Sequence, residues 1–494
     1  MCGFVGVQYP SATLTADALN ETIRRMTATL IHRGPDEGDV WVEPSAGLAL
    51  GHRRLAVVDL SESGHQPMRS PCGRYVLVYN GEIYNHLHLR RQLEAEFKLS
   101  WRGHSDTETL LAGMACWGIH TTLERIVGMF AWALYDRQSH TLTLVRDRLG
   151  EKPLYYGWQG GVFLFGSELK ALKSHPLFQA EVDRNALDQM LRVGYLSAPH
   201  TIYQGIHRLP PGSLVEIKAG VTEAAVQQYW SVRQCVETGR DTPFAGSAQE
   251  AVDHLDGLLR RSIRGQMMAD VPLGAFLSGG YDSSAVVALM QAQSSVPVKT
   301  FTIGFREDQY DESPHAAKVA RHLGTEHTTL HITSEDAMAV IPRLPEIYDE
   351  PFADPSQIPT VLLSQLARGQ VTVSVSGDGG DELFGGYERY FRARRIWACI
   401  KHLPMPLRTI MAGIITGLPV EQWNRMARGR AMGDKLHKLA GLLEAHSSDV
   451  LYGSLNAHWP ESMDLVCGVS KRQASGVIAL PGDFEHQMMY QDVM

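Results

Sequence analysis

The sequence predicts an α+β domain built on several short strands, followed by an α/β domain with a parallel sheet. Up to about residue 170, many short apolar runs are bounded by Gly, Pro, Asn and Asp, a pattern typical of strands joined by turns. Beyond residue 249 the runs are nearly continuous and two of them end in glycines, which indicates buried parallel strands. The length of 494 residues also exceeds what one hydrophobic core usually serves.

The strands of the first domain are predicted at CGFVGV, GLALGHRRLAVVDL, YVLVYNGEIYN, MFAWALYD, TLTLVRD and VFLFGSE. Two segments have helical periodicity, ADALNETIRRMTATL and TETLLAGMACWG, so we expect helices packed on sheets. A Pro-Gly turn in IHRLPPGSLVEIKAG is a plausible end to this domain.

The second domain is preceded by a polar segment, SVRQCVETGRDTPFAGSA, predicted to be an irregular linker. The helix QEAVDHLDGLLRRSIRGQM follows it. Buried strands are then predicted in GAFLSGGYDSSAVVALMQA, VKTFTIGF and VTVSVSGDGGDELFGGY, of which the first and third continue through glycines into helices. In such sheets ligands bind at the carboxyl ends of the strands.

Composition and charge exclude several classes of protein. The net charge of -8 and the lack of a long basic run give no reason to expect nucleic acid as a partner. No segment reaches the roughly 18 apolar residues of a membrane span, and the N-terminus does not resemble a secretion signal. The six cysteines are scattered without a CxxC pair, so we expect free thiols and a cytoplasmic protein.

The loop LSGGYDSS is a candidate phosphate site. Its glycines let backbone N–H groups approach an anion, and the start of the following helix adds partial positive charge. Asp282 would repel a bare phosphate, which makes it a candidate Mg²⁺ ligand. A second acidic cluster, Asp378, Asp381 and Glu382, follows the strand VTVSV. A lone SGG is a tight strand-to-helix turn as often as it is a phosphate site. Neither loop matches the phosphate-binding patterns GxxxxGK[ST] or GxGxxG.

Cys2 is a candidate nucleophile. Once Met1 is removed, the α-amino group of an N-terminal cysteine can accept the thiol proton, directly or through water. A cysteine at this position is more often incidental, so other residues must decide. Asn80 and Gly81 offer two donors for an oxyanion hole, although Asn-Gly is also the commonest hairpin turn. Arg54 could bind a carboxylate and Asp106 an ammonium group, and each alone could be a solvated charge or a cap.

Taken together, these motifs resemble one family. MCGFVGV, HRGPDE, GHRRL, YNGEIYN, HSDTE, RDRLGEKPLYYG and FGSELKAL occur in the order seen in class II glutamine amidotransferase domains of asparagine synthetases. SGGYDS, FTIGF and SGDGGDELFGGY are similar to the ATP-pyrophosphatase-type synthetase domain of the same family. The resemblance implies an Ntn-hydrolase-like αββα sandwich at residues 2–219, a linker at 220–248 and an α/β parallel-sheet adenine-nucleotide-binding domain at 249–494.

The resemblance also implies roles for individual residues. Cys2 would be the nucleophile, Asn80 and Gly81 the oxyanion hole, and Asp378 a catalytic carboxylate beside the reacting centre. Glutamine would be bound by Arg54, Glu82 and Asp106, and Mg²⁺ by Asp282 and Asp381. The residues implied in ATP binding are Leu277, Ser278, Gly279, Gly280, Asp282, Ser283, Ile303, Ser376 and Gly377.

The implied reaction converts ATP, L-aspartate, L-glutamine and water to L-asparagine, L-glutamate, AMP and diphosphate. Cys2 releases ammonia from glutamine, and an intramolecular tunnel carries it to β-aspartyl-AMP. The expected cofactors are ATP and Mg²⁺. The protein would act in the cytoplasm, as a possible homodimer, without nucleic acid or membrane partners.

The chain departs from the family pattern at three places. Tyr281 replaces an aliphatic residue, and Asp378 stands where Glu is frequent. The chain also stops within an apparent helix, EHQMMYQDVM, so we expect a C-terminally truncated synthetase domain. Two alternatives therefore stay open: an amidotransferase acting on another acid, such as a uronic acid of a surface polysaccharide, or a truncated non-catalytic subunit.

Overall fold

The structure, a computed structural model, describes residues 1–10, 14–218, 221, 224–305, 311–426, 432–459, 465–469 and 483–493. The chain divides into two compact units: Met1–Asp183 with Leu196–Gly377, and Arg184–Tyr195 with Asp378–Met494. No helix in the described part of the chain is long and apolar enough to cross a membrane.

The strands, in chain order, are β1 (Gly3–Gln8), β2 (Glu37–Glu43), β3 (Leu48–Arg54), β4 (Met68–Arg69), β5 (Tyr75–Ile83), β6 (Gly128–Asp136), β7 (Thr141–Arg146), β8 (Tyr155–Gln159), β9 (Val162–Gly166), β10 (Ile206–Arg208), β11 (Ser213–Lys218), β12 (Val226–Gln228), β13 (Leu273–Phe276), β14 (Lys299–Phe305), β15 (Glu326–Ile332) and β16 (Val373–Val375). The α-helices are α1 (Ala16–Ala28), α2 (His86–Glu96), α3 (Asp106–Trp117), α4 (Ile119–Arg125), α5 (Leu169–Lys173), α6 (Arg184–Val193), α7 (Val232–Asp241), α8 (Ala248–Gln266), α9 (Tyr281–Gln291), α10 (Ser313–Leu323), α11 (Ser334–Val340), α12 (Leu344–Ile347), α13 (Gln357–Arg368), α14 (Gly380–Phe384), α15 (Glu388–Ile400), α16 (Met405–Thr416), α17 (Val420–Met426), α18 (Met432–Leu443), α19 (Ser448–Asn456) and α20 (Phe484–Val493).

The first part of the larger unit is a sandwich of two antiparallel sheets. One sheet has the order β10-β8-β9-β1-β3-β2 and the other β12-β11-β7-β6-β5-β4. Apolar side chains from both sheets form one buried cluster, in which Phe4 and Phe165 of the first sheet meet Val78 and Leu144 of the second. Burial of these alternating side chains holds the two sheets face to face.

Helices cover both outer faces of the sandwich. On the first sheet, α1 lies so close to β3 that a Cβ on Gly51 would come within 1.9 Å of the Thr27 hydroxyl. On the second, α2, α3 and α4 pack apolar residues such as Leu89 and Met114 against Trp132. The layers are therefore αββα, which confirms the predicted sandwich.

The second part of the larger unit is built on a four-stranded sheet, β15-β14-β13-β16, with every pair parallel. Helices α8, α9 and α10 share a buried cluster with β13, and α13 packs near Phe301 of β14. Parallel strands need such crossover helices, so the predicted α/β sheet is confirmed.

The irregular linker predicted at residues 231–248 is wrong over most of its length, because α7 occupies Val232–Asp241. Its start is capped by Ser231, whose side chain accepts a hydrogen bond from the Gln234 backbone N–H. No residue of α7 is buried, although Val232, Cys235 and Val236 recur at helical spacing. The local cap therefore marks the start of the helix without support from a packed face.

The smaller unit is helical in its described residues. Helices α15, α16, α18, α19 and α20 bury a common cluster that includes Tyr390, Leu443 and Met488. Asp492 accepts hydrogen bonds from the hydroxyls of Tyr390 (2.6 Å) and Tyr452 (2.7 Å). It also accepts one from the guanidinium of Arg389 (2.6 Å). This carboxylate therefore ties α20 to α15 and α19.

Gln8, at the end of β1, is a weak point of the sandwich. Its side chain is buried, and neither amide atom has a hydrogen-bond partner among the described residues. Replacing it with Met, which has a similar shape, is expected to raise the free energy of unfolding by about 1–3 kcal/mol, because an unpaired buried amide is costly. Thermal and urea unfolding would measure this.

Gln159 provides the matched control. It is equally buried, but its amide donates to the Gln204 carbonyl (2.7 Å) and accepts from the Gln179 N–H (3.0 Å). Gln159→Met is therefore expected to destabilise the protein. A loss of stability in both variants would contradict this account of Gln8.

Candidate active sites

Cys2 lies immediately before β1, in the middle of the first sheet of the sandwich. Its Sγ sits between the backbone N–H of Leu55 (3.4 Å) and the carbonyl of Leu55 (3.5 Å). Its own carbonyl accepts a hydrogen bond from Arg33 Nε (2.8 Å). The thiol is therefore held at Leu55, the residue that follows Arg54 at the end of β3.

Around this thiol is a small cavity of about 50 Å³. All six residues predicted for the glutamine site lie in its wall: Cys2, Arg54, Asn80, Gly81, Glu82 and Asp106. Met1 and Lys152 also line it.

Asn80 and Gly81 lie inside β5, which continues to Ile83 and pairs with β6 along its whole length. The hairpin turn that Asn-Gly suggests is therefore not formed. Asn80 is buried, and its Nδ2 has no hydrogen-bond acceptor among the described residues. A Cβ on Gly81 would lie 2.3 Å from the carbonyl oxygen of Met129, so only glycine fits there. A buried amide donor without a partner faces the thiol's cavity.

Arg54 is buried, and the surrounding loop fixes its guanidinium. Nη1 donates to both carboxylate oxygens of Glu37 (3.1 Å each) and to the carbonyl of Ser61 (3.0 Å), and Nη2 donates to the carbonyl of Asp59. A Cβ on Gly64 would lie 2.0 Å from Nη2, so the loop can close over the guanidinium only with glycine there.

Two carboxylates, those of Asp106 and Glu82, also line the cavity. Asp106 begins α3 and accepts hydrogen bonds from the Tyr79 hydroxyl (2.8 Å) and from the N–H groups of Ile83 (3.0 Å) and Thr107 (2.8 Å). A carboxylate has about four acceptor positions, which leaves room for a ligand ammonium group. Burial, and then repulsion from Asp106, raise the pKa of Glu82 to about 7.

In the unprocessed chain, burial favours the uncharged forms of both the Cys2 thiol and the terminal amine. Burial raises the pKa of the Cys2 thiol above its usual range. Burial, with the positive charge of Arg33 nearby, lowers the pKa of the terminal amine of Met1 to about 6. At neutral pH the buried thiol therefore stays protonated and the amine is mostly neutral. Such an amine can accept a proton, but these shifts do not drive the thiol proton to it.

The candidate nucleotide loop lies at the carboxyl end of β13. The hydroxyls of Ser278 and Ser283 are 2.9 Å apart, and the Gly280 N–H donates to Ser278 Oγ (3.3 Å). Gly279 has a φ of +85°, and a Cβ there would lie 2.8 Å from the Ala316 nitrogen. The loop thus presents backbone and small hydroxyls at the start of α9, which suits a phosphate group.

The other predicted ATP residues of the larger unit lie at the same sheet edge. Leu277 is buried directly before the loop and its N–H donates to the Phe301 carbonyl (2.9 Å). Gly377 lies so near the start of α9 that a Cβ there would be 2.7 Å from the Ser283 nitrogen. Ile303 lies on β14 two residues beyond the pairing of Phe301 with Phe276, and Ser376 follows β16.

Asp378 and Asp381 belong to the smaller unit, in which Asp381 lies in the first turn of α14. Asp282 lies in the first turn of α9 in the larger unit. Within the described residues, no group of three or more His, Cys, Asp or Glu could hold a metal ion. The oxygen chemistry of these carboxylates fits Mg²⁺, which usually takes one or two protein carboxylates together with phosphate oxygens and water.

Within the larger unit, Asp270 connects the sandwich to the parallel sheet. Its carboxylate accepts hydrogen bonds from the Asp59 N–H (2.8 Å) and from His104 Nε2 (2.8 Å). Its own N–H donates to the Val57 carbonyl (2.9 Å). Asp270 precedes β13 by three residues, so one aspartate holds both the loop around Arg54 and the approach to the nucleotide loop.

A second connection uses an adjacent pair of acids. Glu350 is ion-paired with Arg208 and accepts hydrogen bonds from the Tyr155 hydroxyl (3.2 Å) and the Ile202 N–H (2.9 Å). Asp349 accepts from the Lys170 N–H (3.1 Å) and pairs with its ammonium group (3.5 Å). Because Glu350 is largely buried, removing Arg208 would leave its carboxylate without an ion-pair partner.

Lys152 is the second cationic side chain of the cavity wall, beside Arg54, and it was not predicted as a site residue. It lies within the motif RDRLGEKPLYYG, but a lysine between two strands carries no local sign of burial. Its place in the wall depends on contacts with distant residues, so only an alignment of related chains could have marked it.

Family models match both parts of the chain. A model described as a glutamine amidotransferase domain matches residues 1–230, and one described as asparagine synthase matches residues 254–493.

Individual relatives match across both parts. A protein of Methanocaldococcus jannaschii assigned as a glutamine-hydrolysing asparagine synthetase is 33% identical over 83% of this chain and 80% of its own length. Asparagine synthetase (glutamine-hydrolysing) 1 of Bacillus subtilis is 35% identical over 79% of this chain and 59% of its own length. An amidase of Gibberella zeae is 29% identical over 79% of this chain and 60% of its own length. The chain therefore spans about three fifths of the last two.

Proposed function

Because the chain belongs to the family of glutamine-hydrolysing asparagine synthetases, we propose that it transfers the amide nitrogen of L-glutamine to L-aspartate at the expense of ATP. The products are L-asparagine, L-glutamate, AMP and diphosphate. The observation that carries the proposal is the cavity at Cys2, where a thiol, an unpaired amide donor, a guanidinium and two carboxylates meet.

In the proposed reaction, Arg54 binds the α-carboxylate of glutamine, while Asp106 and Glu82 bind its α-ammonium group. This arrangement directs the side-chain amide of glutamine toward the thiol. Glu82, whose pKa is raised to about 7, gains a cation when glutamine binds and is then stabilised as a carboxylate. Binding therefore favours the ionised form of the pocket.

The α-amino group of Cys2, exposed by removal of Met1, takes the thiol proton as Sγ attacks the amide carbon. The oxygen of the tetrahedral intermediate is stabilised by Asn80 Nδ2 and the Gly81 N–H. The protonated amine then gives its proton to the leaving nitrogen, and ammonia departs. Water hydrolyses the resulting thioester to glutamate by the same route in reverse.

In the second half of the reaction, aspartate is activated as an adenylate and attacked by ammonia. The phosphates of ATP would lie on the N–H groups and hydroxyls of residues 278–283, with the adenosine near Leu277, Ile303, Ser376 and Gly377. Asp282 and Asp381 would hold Mg²⁺, which neutralises phosphate charge. Asp378 would stand beside the reacting carboxylate.

Isotope exchange between ATP and labelled diphosphate tests which acid is activated. We expect L-aspartate to stimulate the exchange, and Asp282→Asn to abolish it while glutamate release from glutamine continues. Synthesis from glutamine labelled with ¹⁵N in its amide should yield asparagine with a labelled side chain. Exchange stimulated by a different acid, and not by aspartate, would contradict the proposal.

A second candidate substrate class is another carboxylic acid, such as a uronic acid. Asp378 favours it, because a shorter side chain than the frequent Glu would change the space at the acid site. A related chain of Gibberella zeae is named an amidase, so similarity alone does not identify the acid substrate. Adding galacturonate and glucuronate to the exchange assay distinguishes the two classes. A chain that neither exchanges diphosphate nor releases glutamate would instead support a non-catalytic subunit.

A further inference from the structure

Lys152 is rigidly placed in the loop between β7 and β8. Its N–H donates to Asp147 Oδ2 (2.9 Å), and its carbonyl accepts from Arg146 Nε (2.8 Å). Asp147 also binds the N–H groups of Phe130 (3.1 Å) and Glu151 (2.9 Å). Four backbone contacts thus fix this loop, so the direction of the Lys152 side chain is set by the fold.

The side chain points at the nucleophile's cavity. Lys152 is 5% exposed, and its Nζ lies 3.2 Å from the sulfur of Met1. A thioether is a weak acceptor and a poor partner for a buried ammonium group. Met1 must leave before the Cys2 amine can act, so this contact exists only in the unprocessed chain. Once Met1 is removed, we expect the ammonium of Lys152 to face the space that the Met1 side chain vacates.

The charged groups near this space affect the protonation of both the terminal amine and Glu82. Burial is the main cause that lowers the pKa of the Met1 amine; Arg33, Lys152 and Arg368 lower it further, whereas the Cys2 thiol raises it. Burial also lowers the pKa of Lys152, and Glu82 and Glu151 oppose that effect. Around Lys152 itself the charged groups are Glu82, Glu151, Asp147 and Arg33. A cation near an amine disfavours the protonated amine, whereas a cation near a carboxylate favours the ionised carboxylate. One ammonium group can therefore favour both the neutral amine and the ionised form of Glu82.

We propose that Lys152 is a positioning residue of the glutaminase site, which holds the processed N-terminal amine of Cys2 in its neutral, proton-accepting form. The inference rests on the proposed glutamine hydrolysis by Cys2. Glutamine hydrolysis slows below the pH at which this amine becomes protonated. Loss of the Lys152 charge raises the pKa of the amine, so the acidic limb of activity moves to higher pH.

The test compares glutamate release by the full chain between pH 5 and 9 in wild type, Lys152→Met and Lys152→Arg. In Lys152→Met we expect the acidic limb of kcat/KM to move up by about one pH unit. Lys152→Arg should keep the wild-type limb. Lys98→Met, which removes an exposed lysine of the same unit, is the control. Mass spectrometry of the N-terminus establishes that Met1 is absent from every variant.

The inference would be overturned if the acidic limb of kcat/KM in Lys152→Met lay at the same pH as in the wild type. It would also be overturned if the variant lost activity equally at all pH values. If Lys152→Met does not fold, Lys152→Gln replaces it. Alkylation of Cys2 by iodoacetamide across the same pH range gives a reading without turnover and should shift in the same direction. Absence of glutamate release by the processed wild type would contradict the proposed function itself, and so is distinguishable from failure of the Lys152 inference.

Discussion

Replacing Cys2 with alanine is expected to abolish glutamine hydrolysis and leave amide formation from added ammonium intact. The sulfur is the only nucleophile proposed for the first half of the reaction, and loss of a nucleophile costs about 10⁴-fold or more in rate. Alanine is also small enough for Met1 to be removed, so the terminus stays processed. Glutamate release and ammonium-supported asparagine formation would be measured on the same preparation.

Cys72→Ala is the matched control, because Cys72 is an exposed free thiol of the same unit and does not line the cavity. It should keep both activities. Glutamate release by Cys2→Ala at more than a few per cent of the wild-type rate would show that another group attacks glutamine.

Asn80→Ala is expected to lower kcat for glutamine hydrolysis by about 10²–10³-fold, the effect of removing one oxyanion-hole donor. KM should change little, because the donor acts on an oxygen that carries charge only in the transition state. The variant should also be no less stable than wild type, since Asn80 Nδ2 makes no hydrogen bond to any described residue. Steady-state kinetics and thermal unfolding would measure both effects.

Asn85→Ala is the control, and we expect the opposite effects on kcat and stability. Its side chain donates to the Arg125 carbonyl (2.9 Å) and accepts from the Val127 N–H (2.9 Å), outside the cavity. Asn85→Ala should lower stability and preserve kcat. If Asn80→Ala unfolds readily and keeps its kcat, Asn80 is a structural residue and the oxyanion hole lies elsewhere.

Local patterns predicted most strands of the sandwich, because alternating apolar residues and turn residues are read directly from the sequence. They misjudge Asn80-Gly81, where the commonest hairpin signal lies within a continuous strand. The reason is tertiary: β6 pairs with β5 through both residues, and Met129 approaches Gly81 too closely for a side chain. Only the combination of several motifs favoured the functional interpretation.

Contacts between distant residues could not be predicted in the same way. Glu350 and Arg208 are 142 residues apart in the chain, and neither lies in a motif that indicates a buried ion pair. Lys152 is similar, since its direction depends on Asp147 and Arg146. The helix α7 was missed because its apolar residues, Val232, Cys235 and Val236, are few and lie in an otherwise polar segment of which no residue is buried. The proposed roles of the site residues and the domain boundaries at 219 and 249 stay predictions.

Asp270 has a consequence for how the two halves of the reaction depend on each other. If glutamine moves the loop at Asp59, it also moves the segment that leads to the nucleotide loop, because one carboxylate holds both. Thermodynamic linkage then requires reciprocity: the factor by which glutamine changes the affinity for nucleotide equals the factor by which nucleotide changes the affinity for glutamine. If this coupling favours simultaneous occupancy, glutamine binds more weakly when nucleotide is absent, by the same free energy.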